Sequence, residues 1–211
     1  MPSSLDAMAI VAFHDRELNQ PGWPHPPGAG RLPGGAAWAA IEANHRYNCL
    51  LWQEEDRARR TDVPAAEIAA SKRLIDQHNQ RRNDAVEAID EALLSELAGV
   101  EHDPAARLSS ETAGAMIDRL SILALKIYHM RAQTGRADAG HDHVEVCRAR
   151  LQRLAAQRND LAACLDLLLA EAGSGRAYFK VYRQFKMYND PALNPYLYGQ
   201  RAPPGGERAP R

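Results

Sequence analysis

The sequence of this 211-residue chain lacks most of the features that identify a function directly. Lys plus Arg number 26 and Asp plus Glu number 27, so the charge balance gives no sign of a nucleic-acid partner, and none is expected. No run approaches the roughly 20 apolar residues of a membrane span. The N-terminal "MPSSLDAMAIVAF" has an acidic residue where an export signal is basic. These absences predict a cytoplasmic protein.

Cysteine is scarce, and the common nucleophile motifs are missing. Cys49, Cys147 and Cys164 form no CxxC pair and sit in apolar helical patterns, which predicts small buried side chains in a reducing compartment. No Gly-x-Ser-x-Gly elbow occurs. The glycine-rich "GAGRLPGG" follows no strand, so it indicates a connection and not a phosphate loop.

Period-two alternation is also absent over any useful length, and the remaining pattern is helical. We predict an all-α fold, an antiparallel bundle of four long helices with a short helix at each end. Residues 20–37 are a Pro/Gly-rich connection, expected to be ordered through Trp23. One domain is predicted for residues 1–198, with a disordered tail over 199–211. The predicted helices cover Leu5–Leu18, Ala36–Arg60, Ala65–Ala98, a segment from "SSET" to Gly135, a segment from "AGHDH" to "AGSG", and Arg176–Met187.

A polar stripe runs along the predicted helix that contains "KRLIDQHNQRRNDAVEAID". At about 100° per residue the polar members fall within a sector of about 80°. Ile75 and Val86 lie within or beside this sector, so the stripe is expected to face the bundle and not water. Its members are Lys72, Asp76, Asn79, Asn83, Glu87 and Asp90.

The preceding helix carries a second stripe. Consecutive antiparallel helices pack together, so the two stripes are expected to converge in one polar interior. Each neutral group left unpaired there would cost about 1–3 kcal/mol. The stripes therefore predict either a ligand site or a structural network that fixes helix packing. The polar and aromatic members of the second stripe are His45, Asn48, Trp52, Glu55, Asp56 and Arg59.

Carboxylates outnumber basic groups across the two stripes, which favours a bound cation. Hard cations prefer oxygen ligands, so Mg²⁺ or Mn²⁺ is the cofactor to expect, with Asp56, Asp76 and Glu87 as predicted ligands. Helical nucleotide pyrophosphohydrolases use acidic clusters in this general way. That alternative rests on residue type without matched spacing.

The helix "MIDRLSILALKIYHM" is apolar on nearly every side, so its few polar residues are informative: Asp118, Ser121, Lys126 and His129. Phosphate binding by basic residues of the helices is possible without a loop motif, through Arg59, Lys72, Arg82 and Lys126, and the predicted phosphate ligands are Arg59, Lys72 and Lys126. His45 is the predicted acid–base residue. The whole predicted substrate-binding set is Asn48, Trp52, Arg59, Lys72, Asn79, Asn83 and Lys126.

The C-terminal segment "GRAYFKVYRQFKMYNDPALNPYLYG" mixes aromatic and basic residues. One interpretation is a binding surface for phosphate, nucleic acid or a membrane. The interpretation we favour is an aromatic helix that covers the bundle with its basic edge in solvent.

Four segments, in order, resemble a bacterial family of small helical proteins of unknown function: "HRYNCLLWQEEDRAR", "KRLIDQHNQRRNDAVEAID", "ETAGAMIDRLSILALKIYHM" and "FKVYRQFKMYND". The resemblance runs from about His45 to Tyr198. Members of that family are often encoded near lipopolysaccharide and glycosyltransferase genes, which implies a role around cell-envelope glycans. The resemblance supplies no catalytic residue.

These patterns predict a cytoplasmic helical bundle that binds a phosphorylated or nucleotide-linked sugar in its polar interior, and the resemblance implies that it serves lipopolysaccharide synthesis. Two alternatives stay open. One is the Mg²⁺-dependent, pyrophosphohydrolase-like enzyme. The other is a non-catalytic adaptor whose bundle holds a glycosyltransferase.

Overall fold

A computed structural model describes residues 5–25, 34–183 and 192–198. These ranges are mostly helical, which confirms the predicted all-α class. No helix within them is long and apolar enough to cross a membrane. The elements in chain order are α1 (Ala7–Leu18), α2 (Ala36–Ala58), α3 (Ala65–Glu96), β1 (Arg107–Leu108), α4 (Ala113–Thr134), α5 (His141–Gly173), β2 (Ala177–Tyr178) and α6 (Pro195–Tyr198).

The chain divides into two compact units, residues 1–181 and 182–211. The first unit contains α1 to α5 and both strands. The described part of the second unit contains α6. The predicted tail, 199–211, lies outside the described residues.

Two helical hairpins build the first unit. Helix α2 packs along α3 and helix α4 packs along α5, with short loops inside each pair. Helix α4 also contacts α1, α2 and α3, as expected for a helix that is apolar on nearly every side. Helix α1 is fixed by polar contacts to α5: the Ala7 N–H donates to Asp166 Oδ1 at 2.8 Å, and Arg158 Nη1 donates to both carboxylate oxygens of Asp15 at 2.7 and 2.9 Å.

The start of α4 approaches α3 closely at Gly114. The Gly114 N–H donates to Asp90 Oδ1 at 2.6 Å, and Thr112 caps the helix by accepting from the Ala115 N–H at 3.1 Å. A Cβ on Gly114 would lie 2.6 Å from the backbone oxygen of Val86, so only glycine allows this approach. Asp90, the last member of the α3 stripe, is therefore a buried cap for α4.

A short parallel strand pair joins the α3–α4 loop to the chain after α5. Arg107 pairs with Ala177 and Leu108 with Tyr178. Strands of two residues leave no alternation in a sequence, so the pair was not predicted. The predicted helix Arg176–Met187 is wrong over its described part: residues 177–178 are strand and 179–183 are not helical, while 184–187 lie outside the described residues. Ala177 and Phe179 nevertheless belong to the main hydrophobic core.

Candidate ligand-binding cleft

A cleft of about 460 Å³ opens between α2, α3 and α4. The two predicted stripes meet here only in part: Asn48 of α2 and Asn79 of α3 line the same space, and Asn79 is the one member of the α3 stripe in this lining. Apolar side chains of α4 close it from behind. Its lining residues are Asn48, Leu51, Trp52, Glu55, Asp56, Arg59, Asn79, Arg82, Ile122 and Leu125.

Trp52 forms an aromatic wall of the cleft. Its indole stacks on the imidazole of His129 from α4, with ring centroids 4.6 Å apart and planes 4° from parallel. Burial lowers the pKa of His129, and the Asp56 carboxylate opposes this shift. The stack fixes the position of the indole at the edge between α2 and α4.

Beneath the cleft lies a buried network of polar side chains from α2 and α4. Oδ1 of Asp118 accepts hydrogen bonds from the side-chain amides of Asn44 at 2.8 Å and Asn48 at 2.9 Å. Asn44 is fully buried and Asn48 nearly so. Buried polar groups are tolerated when they are hydrogen-bonded, so this network gives the α2–α4 interface a fixed register.

The network continues to Ser121 and His45. Asn48 Nδ2 donates to Ser121 Oγ at 3.0 Å, and Ser121 Oγ lies 2.8 Å from His45 Nδ1. The serine hydroxyl, which accepts from Asn48, is thus placed to donate to Nδ1 of a neutral imidazole. Burial lowers the pKa of His45 to about 3, against a hydrogen bond with the backbone of His14 that raises it.

His45 is therefore a core residue and not a lining residue of the cleft. Its ring is fully buried and packs against the ring of His14, with centroids 4.4 Å apart. Trp23 also stacks on the His45 ring, with centroids 5.6 Å apart, and donates from Nε1 to Cys49 Sγ at 3.2 Å. The predicted acid–base role is not supported by this position, because the ring has no surface toward a ligand in the cleft.

The contacts of Trp23 and the burial of the cysteines each bear on what was expected from the sequence. Trp23 packs the described start of the Pro/Gly-rich connection against α2, and Arg46 adds a hydrogen bond to the Pro24 carbonyl at 2.9 Å. Burial raises the pKa of the Cys49 thiol to about 12. Cys49 and Cys147 are buried as predicted, whereas Cys164 is exposed, so the prediction of burial is wrong for that residue.

Arg82 links the network to the cleft. Its Nη1 lies 3.8 Å from Asp118 Oδ2 and its Nη2 donates to Asn83 Oδ1 at 2.8 Å. Its Nε is buried with no hydrogen-bond partner in the structure. Arg59, the other cation of the cleft, pairs with Glu55 at 3.0 Å and is largely exposed. The cleft thus has one guanidinium held at its base and one at its rim.

Several predicted site residues lie elsewhere. Lys72 and Asp76 pair with each other at 3.5 Å, with side chains 65% and 58% exposed, so their predicted inward orientation is wrong. Lys126 is exposed and lines a second cavity beyond Trp52. Asn83 and Glu87 are half-buried but do not line the cleft. The predicted residues that the cleft does bring together are Asn48, Trp52, Asp56, Arg59 and Asn79.

The predicted metal ligands are not assembled. Asp56 lines the cleft, Asp76 is paired on the surface and Glu87 lies outside the lining. Across the described part of the chain, no group of three His, Cys, Asp or Glu side chains is placed to hold a metal ion. The carboxylates that outnumber the basic groups in the two stripes lie in different places: some on the surface, some in the cleft, and Asp90 at the start of α4.

Sequence reasoning left four important polar residues out of the predicted site. Asp118 and Ser121 were visible as polar interruptions of an apolar helix, and Arg82 as a basic residue near the stripe. Asn44 had a weaker signal, since it precedes His45 in the same helix. The structure identifies these residues through their hydrogen-bond partners on other helices. The periodicity of a single helix carries no information about such partners.

The fold and cleft define a helical protein with a polar cavity above a buried hydrogen-bond network. The family model described as "Protein of unknown function (DUF4254)" matches residues 38–181, and the chain belongs to this family. The match covers all but the first two residues of α2 and the whole of α3, α4 and α5, and with them every residue of the cleft and of the network beneath it. No curated protein and no solved structure matches the chain.

Proposed function

We propose that this protein binds a phosphorylated or nucleotide-linked sugar in the cleft between α2, α3 and α4, in the service of cell-envelope glycan synthesis. The observation that carries the proposal is the composition of the lining: two guanidinium groups, an indole, two amides and two carboxylates share one space of about 460 Å³. Small-molecule sites are usually clefts of about 300–1,000 Å³.

Each group suits one part of such a ligand. Arg82 and Arg59 would bind the phosphate, since guanidinium groups make paired, charge-assisted hydrogen bonds to phosphate oxygens. Arg82 is the stronger candidate because its Nε is buried and has no hydrogen-bond partner among the described residues. Arg59 would exchange its exposed pairing with Glu55 for the phosphate, at small cost.

The remaining groups suit a sugar. The amide N–H groups of Asn48 are used by the network, so its side-chain oxygen is the part left to accept from a ligand hydroxyl. The side-chain amide of Asn79 has no hydrogen-bond partner within the described ranges, so it can both donate to and accept from a ligand. Asp56 adds a carboxylate acceptor. The face of Trp52 would cover an apolar face of the sugar or a base.

Of the alternatives, the Mg²⁺-dependent hydrolase drew on Asp56, Asp76 and Glu87, which do not come together in the structure. The titration described next distinguishes the adaptor role from ligand binding. The cell-envelope part of the proposal is motivated by the family resemblance of the four sequence segments.

Isothermal titration with UDP-glucose, GDP-mannose, glucose 1-phosphate and glucose, with and without Mg²⁺, tests the proposal. We expect phosphorylated compounds to bind and glucose alone to bind far more weakly. Arg82→Gln should weaken binding by about tenfold or more, as expected for the loss of a charged hydrogen-bond partner. Arg81→Gln, which removes the same charge from the exposed neighbour, should leave affinity unchanged.

Two results would overturn the proposal. One is equal binding by Arg82→Gln and wild type. The other is no binding of any compound, with a glycosyltransferase recovered as a stable complex, which would establish the adaptor instead.

A further inference from the structure

A second cavity, of about 420 Å³, lies on the far side of Trp52, between α4, α5 and the end of α2. The proposed sugar site does not use it. Only Trp52 is common to the two linings. The residues around this cavity are Trp52, Lys126, His129, Met130, Gln133, Arg150, Arg153 and Leu154.

The charge of this cavity is of one sign. Lys126 of α4 and Arg150 and Arg153 of α5 lie around it, and none of its lining residues is acidic. None of the three makes an ion pair or a side-chain hydrogen bond with any other described residue. The neighbouring Arg148, by contrast, is paired with Glu145, and Arg136 with Asp138. Three unpaired cations around one cavity raise the local concentration of anions.

The rest of the lining is apolar and neutral. Met130 and Leu154 face the cavity from α4 and α5, and the Trp52–His129 stack forms another side. Burial lowers the pKa of His129, which disfavours the charged form of its imidazole. Gln133 is the one uncharged hydrogen-bonding side chain besides the two stacked rings. The three cations can only donate hydrogen bonds, so a sugar would find few acceptors for its hydroxyl protons here, which disfavours a carbohydrate.

We propose that this second cavity binds an amphipathic anion, a phosphate monoester that carries an alkyl chain. Lys126, Arg150 and Arg153 bind the phosphate, and the alkyl chain packs against Trp52, Met130 and Leu154. The apolar lining distinguishes this ligand from inorganic phosphate, which would leave that surface exposed to water. The three cations distinguish it from a neutral or cationic amphiphile.

Isothermal titration with octyl phosphate, below the concentration at which it forms micelles, tests the proposal. Inorganic phosphate, octanol and octyltrimethylammonium serve as comparison ligands. We expect octyl phosphate to bind best and its affinity to fall as salt is added, because exposed charges are screened. The variant Lys126→Gln/Arg150→Gln/Arg153→Gln should bind octyl phosphate about tenfold or more weakly.

A matched control removes the same charge elsewhere. Arg73→Gln/Arg81→Gln/Arg148→Gln changes three exposed cations outside the cavity and should keep wild-type affinity. Leu154→Asn tests the apolar side separately and should weaken octyl phosphate without affecting inorganic phosphate. Arg82→Gln should leave octyl phosphate binding unchanged, which separates this cavity from the proposed sugar site.

The proposal fails if the cavity triple variant binds octyl phosphate as wild type does, or if the control triple variant loses as much affinity. It also fails if inorganic phosphate or octyltrimethylammonium binds as tightly as octyl phosphate. A single variant, Lys126→Gln, with a smaller loss in the same direction, is the fallback should the triple variant unfold. Thermal melts of each variant verify folding.

Discussion

The side-chain amide of Asn48 donates a hydrogen bond to Oδ1 of Asp118 at 2.9 Å, across the interface between α2 and α4. The same asparagine lines the cleft, so it belongs both to the buried network and to the proposed ligand site. The polar interior thus has two layers. The lower layer pairs with itself and holds the helices in register, and the upper layer presents groups to a ligand.

Leucine substitutions separate the two layers. Asn48→Leu removes one hydrogen bond from Asp118 and one from Ser121, so we expect the free energy of unfolding to fall by about 1–3 kcal/mol. Asn79→Leu removes a side chain without a hydrogen-bond partner in the described structure, so stability should stay the same or rise. It should nevertheless weaken sugar-phosphate binding. Urea unfolding and titration of both variants measure the difference, and equal destabilisation by the two would show that Asn79 is part of the network.

Acid should destabilise the folded protein through the buried His14–His45 pair. Burial lowers the pKa of His45 from 6.5 to about 3, and burial together with His45 and Arg158 lowers the pKa of His14. Below pH 6.5 the two imidazoles bind protons in the unfolded chain but stay largely unprotonated in the folded protein. Stability from this source is therefore complete above pH 6.5 and is lost as the pH falls toward about 3.

His14→Leu isolates the contribution of one ring. Both nitrogens of His14 are buried without a hydrogen-bond partner in the described structure, so an apolar side chain of similar size should raise stability at neutral pH. It should also flatten the loss of stability below pH 6.5. Chemical unfolding of wild type and variant across that range is the measurement. An unchanged slope in the variant would mean that His14 does not titrate with folding.

Gly114→Ala should damage the junction of α3 and α4. The added methyl group would meet the Val86 carbonyl at 2.6 Å and the Asp90 carboxylate at 2.9 Å. The helix start must then shift and weaken the 2.6 Å hydrogen bond to Asp90, at about 1–3 kcal/mol. Gly99→Ala is the control, because a methyl group there meets nothing within 4 Å. Comparable melting temperatures for the two variants would contradict the close approach.

Among the described residues after β2, Phe179 is the aromatic residue that belongs to the main hydrophobic core. Phe179 is 3% exposed within the main hydrophobic cluster, whereas Tyr182 is 75% exposed. Phe179→Ala should therefore lower the free energy of unfolding by about 3–5 kcal/mol. Tyr182→Ala should change it by about 0.5 kcal/mol or less. Thermal and urea unfolding of the pair test the assignment, which fails if Tyr182→Ala is the more damaging change.

The sequence alone determined the fold class and the central element. Helix α4 is apolar on nearly every side, and such a helix is stable only where other helices surround it. The 3.6-residue period also placed most of the α2 stripe correctly, with the exception of His45, which lies in the core. Asn48, Trp52, Asp56 and Arg59 line the cleft because residues at this spacing must share one face of a helix.

Only the tertiary structure decided which part of the α3 stripe is used. The buried line of α3 passes through Ser71, Ile75, Ala85 and Ile89, and the polar stripe lies one position beside it. Helix α4 contacts that edge of α3 at Asp90 and Arg82, and its later turns contact Trp52 of α2 instead. Lys72 and Asp76 of α3 are therefore left exposed to water. A period fixes the angle of a side chain about its own axis. Which neighbour packs against a given side chain depends on the path of another helix, which the local sequence does not encode.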